Sequence, residues 1–276
     1  VRKLLVVAGI VSSAISLLAS PAIAQGQSPR ADNPVGVLGP VNALGQEVKR
    51  PPAPTGPAPR LPDGTIDLAD GIWVMAPGGG GITRWLKPGE ELPLLPAAKA
   101  LMATRKDIDD PVNWCLPLGP VRSSPYPFRF IQNYTHKKPT HMYILSEWMG
   151  SFRQIFLDGR KHPAELDPTW FGHSIGWYEQ DTLVIDTVGY NDKFWFDRLG
   201  TPHTDRLHTI ERWTRVDAGH LVREVTIDDP GAYSRPFTVT TSFTLSPAND
   251  ELLEYVCQEN NQYGAASGSA MPSTGR

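Results

Sequence analysis

Residues 171–177, FGHSIGW, contain Gly172-His173-Ser174-Ile175-Gly176, which matches the G-x-S-x-G pattern of serine hydrolases. That pattern does nucleophilic chemistry when the Ser sits on a sharp turn between a buried strand and a helix. Here the preceding DPTWF carries Pro168 and makes a poor central strand, and the residues that follow run into DTLVIDTV without a helical stripe. Ser174 is therefore expected to be an ordinary strand residue, with Gly172 and Gly176 in turn or bulge positions.

Acid–base chemistry has better material. All seven histidines fall between His136 and His220, and TPHTDRLHTIER alone holds His203, Asp205, His208 and Glu211. An imidazole titrates near neutrality and works as a proton carrier when a carboxylate orients it. We expect His173 and His208 as the acid–base pair, with Asp186 and Glu211 orienting or polarising, and expect the two histidines to converge on one cavity inside the β domain with at least one of Asp186, Glu211, Arg212 or Arg223. His136, His141 and His162 stand beside Lys137, Lys138 and Lys161 and read as solvated loop residues. A divalent metal on His173, His203 and His208 is the alternative use of these side chains. Its spacing is unfavourable: there is no H-E-x-x-H, and positions 208 and 211 face opposite sides of a strand. The run Gly78 to Gly81 lacks the Lys-Ser/Thr and helix of a phosphate cradle, and no organic cofactor is expected.

Charge inside strands is the third clue. Glu211 and Arg212 are neighbours in HTIERWTRV, so one of them points inward if one face is core. HTIERWTRV and HLVREVTI flank Asp217-Ala218-Gly219, a three-residue hairpin loop. That loop pairs Val216 with His220, which sets Arg212 opposite Glu224 and Trp213 opposite Arg223. The face carrying Trp213, Leu221, Val225 and Ile227 would be core, and it also carries Glu211 and Arg223. Buried charges need partners or water, so this face implies a polar cavity or an ion pair closing one barrel end. Arg212 and Arg223 are candidates for countering a substrate oxyanion, and Trp177, Tyr178 and Trp213 for giving it a flat surface.

The elements that must position these residues are strands. Short β-rich runs with turn signals between them begin at Asp70 and resume at Phe128, His141, Phe152, Ser174, Thr182, His208, His220, Phe237 and Leu252. Helix is confined to PAAKALMATRKDI, residues 96–108, where Pro96 suits the first turn. Locally joined strands with little helix predict an antiparallel meander closed into a barrel or folded as a sandwich. Gly71-Ile72-Trp73 is similar to the Gly-x-Trp of lipocalin-like barrels, which implies a barrel and brings no ligand. The blocks DGRKHP, DPTWFGHSIGWYEQDTLVIDT, LHTIERW, TIDDPGAY and EYVCQEN resemble those of a family of exported bacterial proteins of undefined function. The resemblance covers most of residues 61–262 and implies no reaction and no residue role.

The ends agree with export. Arg2 and Lys3 precede an uncharged stretch from Leu4 to Leu18, and Ala22-Ile23-Ala24 is a small-x-small cleavage site. The stretch is shorter than the roughly 20 residues that span a bilayer. Residues 1–24 therefore read as a signal peptide, 25–60 as a Pro-rich disordered spacer, 61–262 as one β domain and 263–276 as a disordered tail. The expected location is periplasmic or secreted, with no membrane insertion after cleavage. A net charge of −3 offers no concentrated basic surface for nucleic acid. The two cysteines, Cys115 and Cys257, are expected to form a disulfide in that compartment, with two buried free thiols as the alternative. The functional expectation is an enzyme acting on a small aromatic or sugar-like molecule by cofactor-independent proton transfer, as a lyase, isomerase or hydrolase. A non-catalytic barrel that binds a small molecule is the alternative, and a structural envelope protein a third.

Overall fold

The computed structural model describes residues 35–36, 39–40, 51–75, 81–122, 126–133 and 139–258. The expected signal peptide and C-terminal tail lie outside these residues. Two compact units are distinguished, Val1–Lys49 and Arg50–Arg276. In the first, β1 (Val35–Gly36) pairs antiparallel with β2 (Gly39–Pro40).

In the second unit nine strands close into a barrel: β3 (Trp73–Met75), β4 (Phe128–Asn133), β5 (His141–Ser146), β6 (Phe152–Phe156), β7 (His173–Glu179), β8 (Thr182–Val188), β9 (His208–Arg215), β10 (His220–Asp228) and β11 (Phe237–Leu245). The order around the wall follows the chain from β3 to β11, and β11 returns to pair with β3. Among the described residues one α-helix, α1 (Pro96–Thr104), begins with Pro96 in its first turn, where a missing N–H costs nothing. The fold is thus mainly β, a closed barrel rather than a sandwich.

Three details depart from the expected meander. β6 and β7 run parallel, with Ile155 opposite Ser174. The segment between them, 157–172, is long enough for the crossover of about a dozen residues that parallel pairing requires. Residues 252–258 form no strand, so Cys257 lies beyond the last one, β11. Residues 51–60, read from sequence as spacer, belong to the barrel unit. Ala218 N donates to Gly56 O (3.0 Å), Ala58 packs against the core, and Arg60 grips Asp181 through two hydrogen bonds of 2.7 and 2.6 Å.

Period-two alternation decides what faces inward. On β9 Thr209, Glu211, Trp213 and Arg215 are buried while His208, Ile210, Arg212 and Thr214 are half-exposed. The 217–219 hairpin holds the expected register, with Arg223 opposite Trp213 and Glu224 opposite Arg212. Apolar side chains fill the interior as two clusters, one around Phe130, Met142, Ile185, Trp213 and Phe243, the other around Tyr190, Phe194, Phe196, Ile227 and Val239. Glu211 lies where they meet, paired to Ile185 of the first and Val225 of the second.

Candidate functional site

The barrel interior holds a charged layer. Glu211, 1% exposed, has Arg153 Nη1 2.6 Å from its Oε1. The contact is ionic and off the axis of an aligned hydrogen bond. Trp213 Nε1 donates to Glu211 Oε2 at 3.1 Å, and Arg223 Nη1 lies 4.0 Å from the same oxygen. Arg153 also donates from Nε to Ser174 Oγ (3.1 Å) and from Nη2 to Thr187 Oγ1 (2.7 Å). Arg223 donates from Nε to Thr241 Oγ1 (3.2 Å) and from Nη1 to Pro120 O (3.0 Å). Its guanidinium sits 5.2 Å from the Trp213 ring centre and 5.7 Å from that of Phe243. Burial lowers the Arg223 pKa, and Glu211 opposes that shift. Arg153 was missing from the expected set, although Arg153 and Ile155 share a face of FRQIF in the same way as Glu211 and Trp213 share one of β9.

Above this layer is a cavity of about 300 Å³. Barrel residues Phe128, Ile144, Arg153, Trp213, Arg223 and Phe243 form its floor. The loop Cys115–Arg122 with Tyr126 makes one wall, the turn Trp148–Phe152 another, and Phe171 completes the lining. Cys115 is bonded to Cys257, with Cα atoms 5.6 Å apart, so the expected disulfide is present and fastens the C-terminal segment beside the cavity. Tyr255 from that segment stacks on Trp148 at 4.9 Å and meets Tyr126 edge-on at 5.3 Å. Arg122 forms a fork on Asp110, with contacts of 2.9 and 2.8 Å. The described lining thus contains three arginines, a band of aromatic rings and no carboxylate.

The expected acid–base residues do not converge here. His173, Asp186 and His208 share the opposite, outer face of β7, β8 and β9. There Asp186 Oδ1 accepts from His208 Nε2 (2.8 Å) and His162 Nε2 (3.2 Å). His162 Nδ1 in turn shares a hydrogen bond of 2.8 Å with His173 Nδ1. His208 remains 39% exposed, against 18% for His162. Phe156 stacks on His173 at 5.1 Å, and the Arg160 guanidinium covers Phe156 at 3.8 Å. The pKa of His173 is lowered, first by burial and then by His162 and Arg160. His162, expected as a solvated loop residue, is the hinge of this network; only the parallel crossover brings it back to the wall.

Other expected residues are scattered by the same alternation. Glu211 is on the inner side of the wall, separated from His173, His208 and Asp186 by the sheet. Arg212 is outside and pairs with Glu179 (2.8 Å) instead of with Glu224. Trp177 is outside, 40% exposed, and donates to Glu179 Oε1 (3.0 Å). Tyr178 points inward and packs on the first core cluster. Of the aromatic residues at 170–196, Phe171 alone lines this cavity, while Tyr190, Phe194 and Phe196 fill the core. His203 is buried against Phe194 (3.9 Å) and Phe196 (4.9 Å), its Nδ1 on Thr204 O, and burial pushes its pKa down to about 4. A shared metal on His173, His203 and His208 is therefore not assembled, and among the described residues no group of three His, Cys, Asp or Glu is arranged to hold a metal ion.

Ser174 is a buried strand residue whose hydroxyl serves Arg153 and Thr187. The glycines that complete its apparent motif have packing roles. Gly172 has φ +64°, and a Cβ there would stand 2.7 Å from Val188 O. A Cβ on Gly176 would stand 2.9 Å from Ile155 Cγ2. No protein-family model, no curated protein and no solved structure matches the chain, so the geometry of the cavity and of the outer histidine network carries the functional argument alone.

Proposed function

We propose that this protein is an exported binding barrel that holds a small, flat, largely apolar molecule in the cavity at the barrel mouth. One observation carries the reading: an aromatic-lined hollow of about 300 Å³ sits on a few fixed polar groups inside a closed barrel. Small-molecule sites have this character, an apolar pocket with a small number of placed polar contacts. Export is supported by the disulfide, which persists in oxidising compartments, and by the signal-like N-terminal sequence. Among the described residues no helix is long and apolar enough to cross a membrane. Titration with the neutral fluorophore N-phenyl-1-naphthylamine tests the reading. Saturable emission with a single site is expected, and emission that rises without saturating would count against a formed cavity.

The acid–base reading is supported by the hydrogen-bonded His162–Asp186–His208 network, now as chemistry on the outer face. Loss of turnover on an identified substrate in His208→Ala, with cavity binding intact, would favour it. It ranks second because the candidate acids, bases and flat surfaces lie on opposite sides of the barrel wall.

A further inference from the structure

We propose that the molecule held in the cavity is longer than the cavity, and that it carries an aliphatic chain which leaves the hollow across Met149 and Phe152. The inference rests on the cavity being a ligand site and adds the chemical class of the ligand and the residues that select it. Polarity in the site runs opposite to that of an ordinary surface cleft. Arg153 and Arg223 are buried at the floor, whereas Phe152 at the edge lines the cavity and is 61% exposed. Among the described large apolar side chains none is more exposed. Single exposed apolar residues are common on protein surfaces, but Phe152 is continuous with a hollow already walled by rings. Leu253 and Val256 add two half-exposed apolar side chains on the strap whose Tyr255 stacks on Trp148 of the same lining.

The turn that presents this edge is held in a disfavoured conformation. Three described non-glycine residues, Cys115, Met149 and Gln180, have φ in the left-handed region, and Cys115 and Met149 line this cavity. A side chain at φ +55°, as at Met149, persists only where its surroundings hold it, and such positions gather at ligand sites. Here Gly150 N donates to Glu147 O (3.1 Å), and Ser151 N and Oγ donate to Trp148 O (3.1 and 2.8 Å). Met149 and Phe152 are thereby set at the mouth before a ligand arrives, which spares the complex the entropy of ordering the turn. An unbranched thioether also adapts to a flexible chain better than a branched side chain does. The exposed set is too small for a protein partner, since a stable interface takes about 800 Å² from each side. It suits one alkyl chain. Each methylene laid against it on one side adds about twofold in affinity, half the free energy of full burial.

The experiment measures displacement of N-phenyl-1-naphthylamine from the full chain by 2-naphthol, 6-hexyl-2-naphthol and 6-(2-ethoxyethoxy)-2-naphthol. The three share a neutral flat body, and the last two carry chains of equal length and different polarity. The hexyl compound should bind about tenfold or more tightly than 2-naphthol, and the ether at most about threefold more tightly. Phe152→Ser should bring the ratio of hexyl compound to 2-naphthol down at least about threefold. Should Phe152→Ser fail to fold, the wild-type comparison of the two chains decides. Equal binding of the hexyl compound and 2-naphthol, a hexyl preference that Phe152→Ser leaves in place, or an ether that binds as tightly as the hexyl compound overturns the inference and leaves the cavity reading standing. If N-phenyl-1-naphthylamine itself does not saturate, both are overturned.

Discussion

The two faces of the barrel wall from β6 to β10 carry similar residue types with opposite physical consequences. Inside, Glu211, Arg153 and Arg223 are all but sealed from water, and each is fixed by several contacts. Outside, Asp186, His162, His173 and His208 form an equally connected network that water reaches, with His208 39% exposed. In the interior a missing partner leaves a bare charge in an apolar medium, whereas outside the solvent replaces it. Connection alone therefore does not mark a group that the fold depends on.

Mutations on the two faces should separate most sharply in stability. Arg153→Ala leaves Glu211 without its closest partner and should cost about 3–5 kcal/mol in urea unfolding, the range for breaking a buried pair. Asp186→Asn, on the outer face, should cost at most about 1 kcal/mol. Equal losses would mean that the outer network is as structural as the inner layer.

The disulfide acts on the inner side as well. It joins residues 142 apart and fastens the segment that packs Tyr255 against the cavity wall. Cys257→Ser should lower stability by about 2–4 kcal/mol. It should also speed ligand release in stopped-flow measurements, since the strap beside the cavity then keeps the ring stacking of Tyr255 and the hydrogen bond from Leu253 N to Glu147 Oε2 but loses its covalent tie.

Histidine protonation gives the next contrast. His203 has its folded-state pKa pushed down to about 4 by burial, whereas an unfolded His titrates near 6.5. Below pH 6.5 the unfolded chain takes up a proton that the folded one does not. Stability is therefore complete above pH 6.5, falls as pH drops towards about 4, and levels off below it. The total is up to about 3 kcal/mol. His203→Phe should flatten that slope in a series of Tm measurements. His173 shifts in the same direction but meets solvent, so His173→Gln should change the slope less. A steeper effect from His173 would reverse the ranking of the two faces.

Ser174 gives the smallest expected effect on chemistry. A fluorophosphonate should leave the protein unlabelled, because Ser174 is 1% exposed and its hydroxyl faces Arg153.

What could be read from sequence follows the reach of the interactions. The 217–219 loop sets the register of β9 on β10 locally, so Glu211, Trp213 and Arg223 on one face followed from counting residues. The pairing of Arg153 with Glu211 joins two strands that are not neighbours, and no local pattern states it. His162 reaches Asp186 only because β6 and β7 pair in parallel, and the crossover length is visible while its path is not. The cavity wall from Cys115 to Arg122 is an irregular loop without periodicity, legible only through the cysteine that anchors it. Glu211 is parted from His173 and His208 by a single physical fact: residues three apart along a strand, as His208 and Glu211 are, lie on opposite sides of the wall.

The central claim is that ligand occupies the inner side of the wall. It is tested most directly by fluorescence titration of N-phenyl-1-naphthylamine into two variants side by side, Ile144→Trp and Asp186→Asn. Ile144 lines the cavity, and an indole there fills it, whereas Asp186 joins the outer histidines. Binding should be abolished in folded Ile144→Trp and unchanged in Asp186→Asn; binding that survives the first and disappears in the second would contradict the claim.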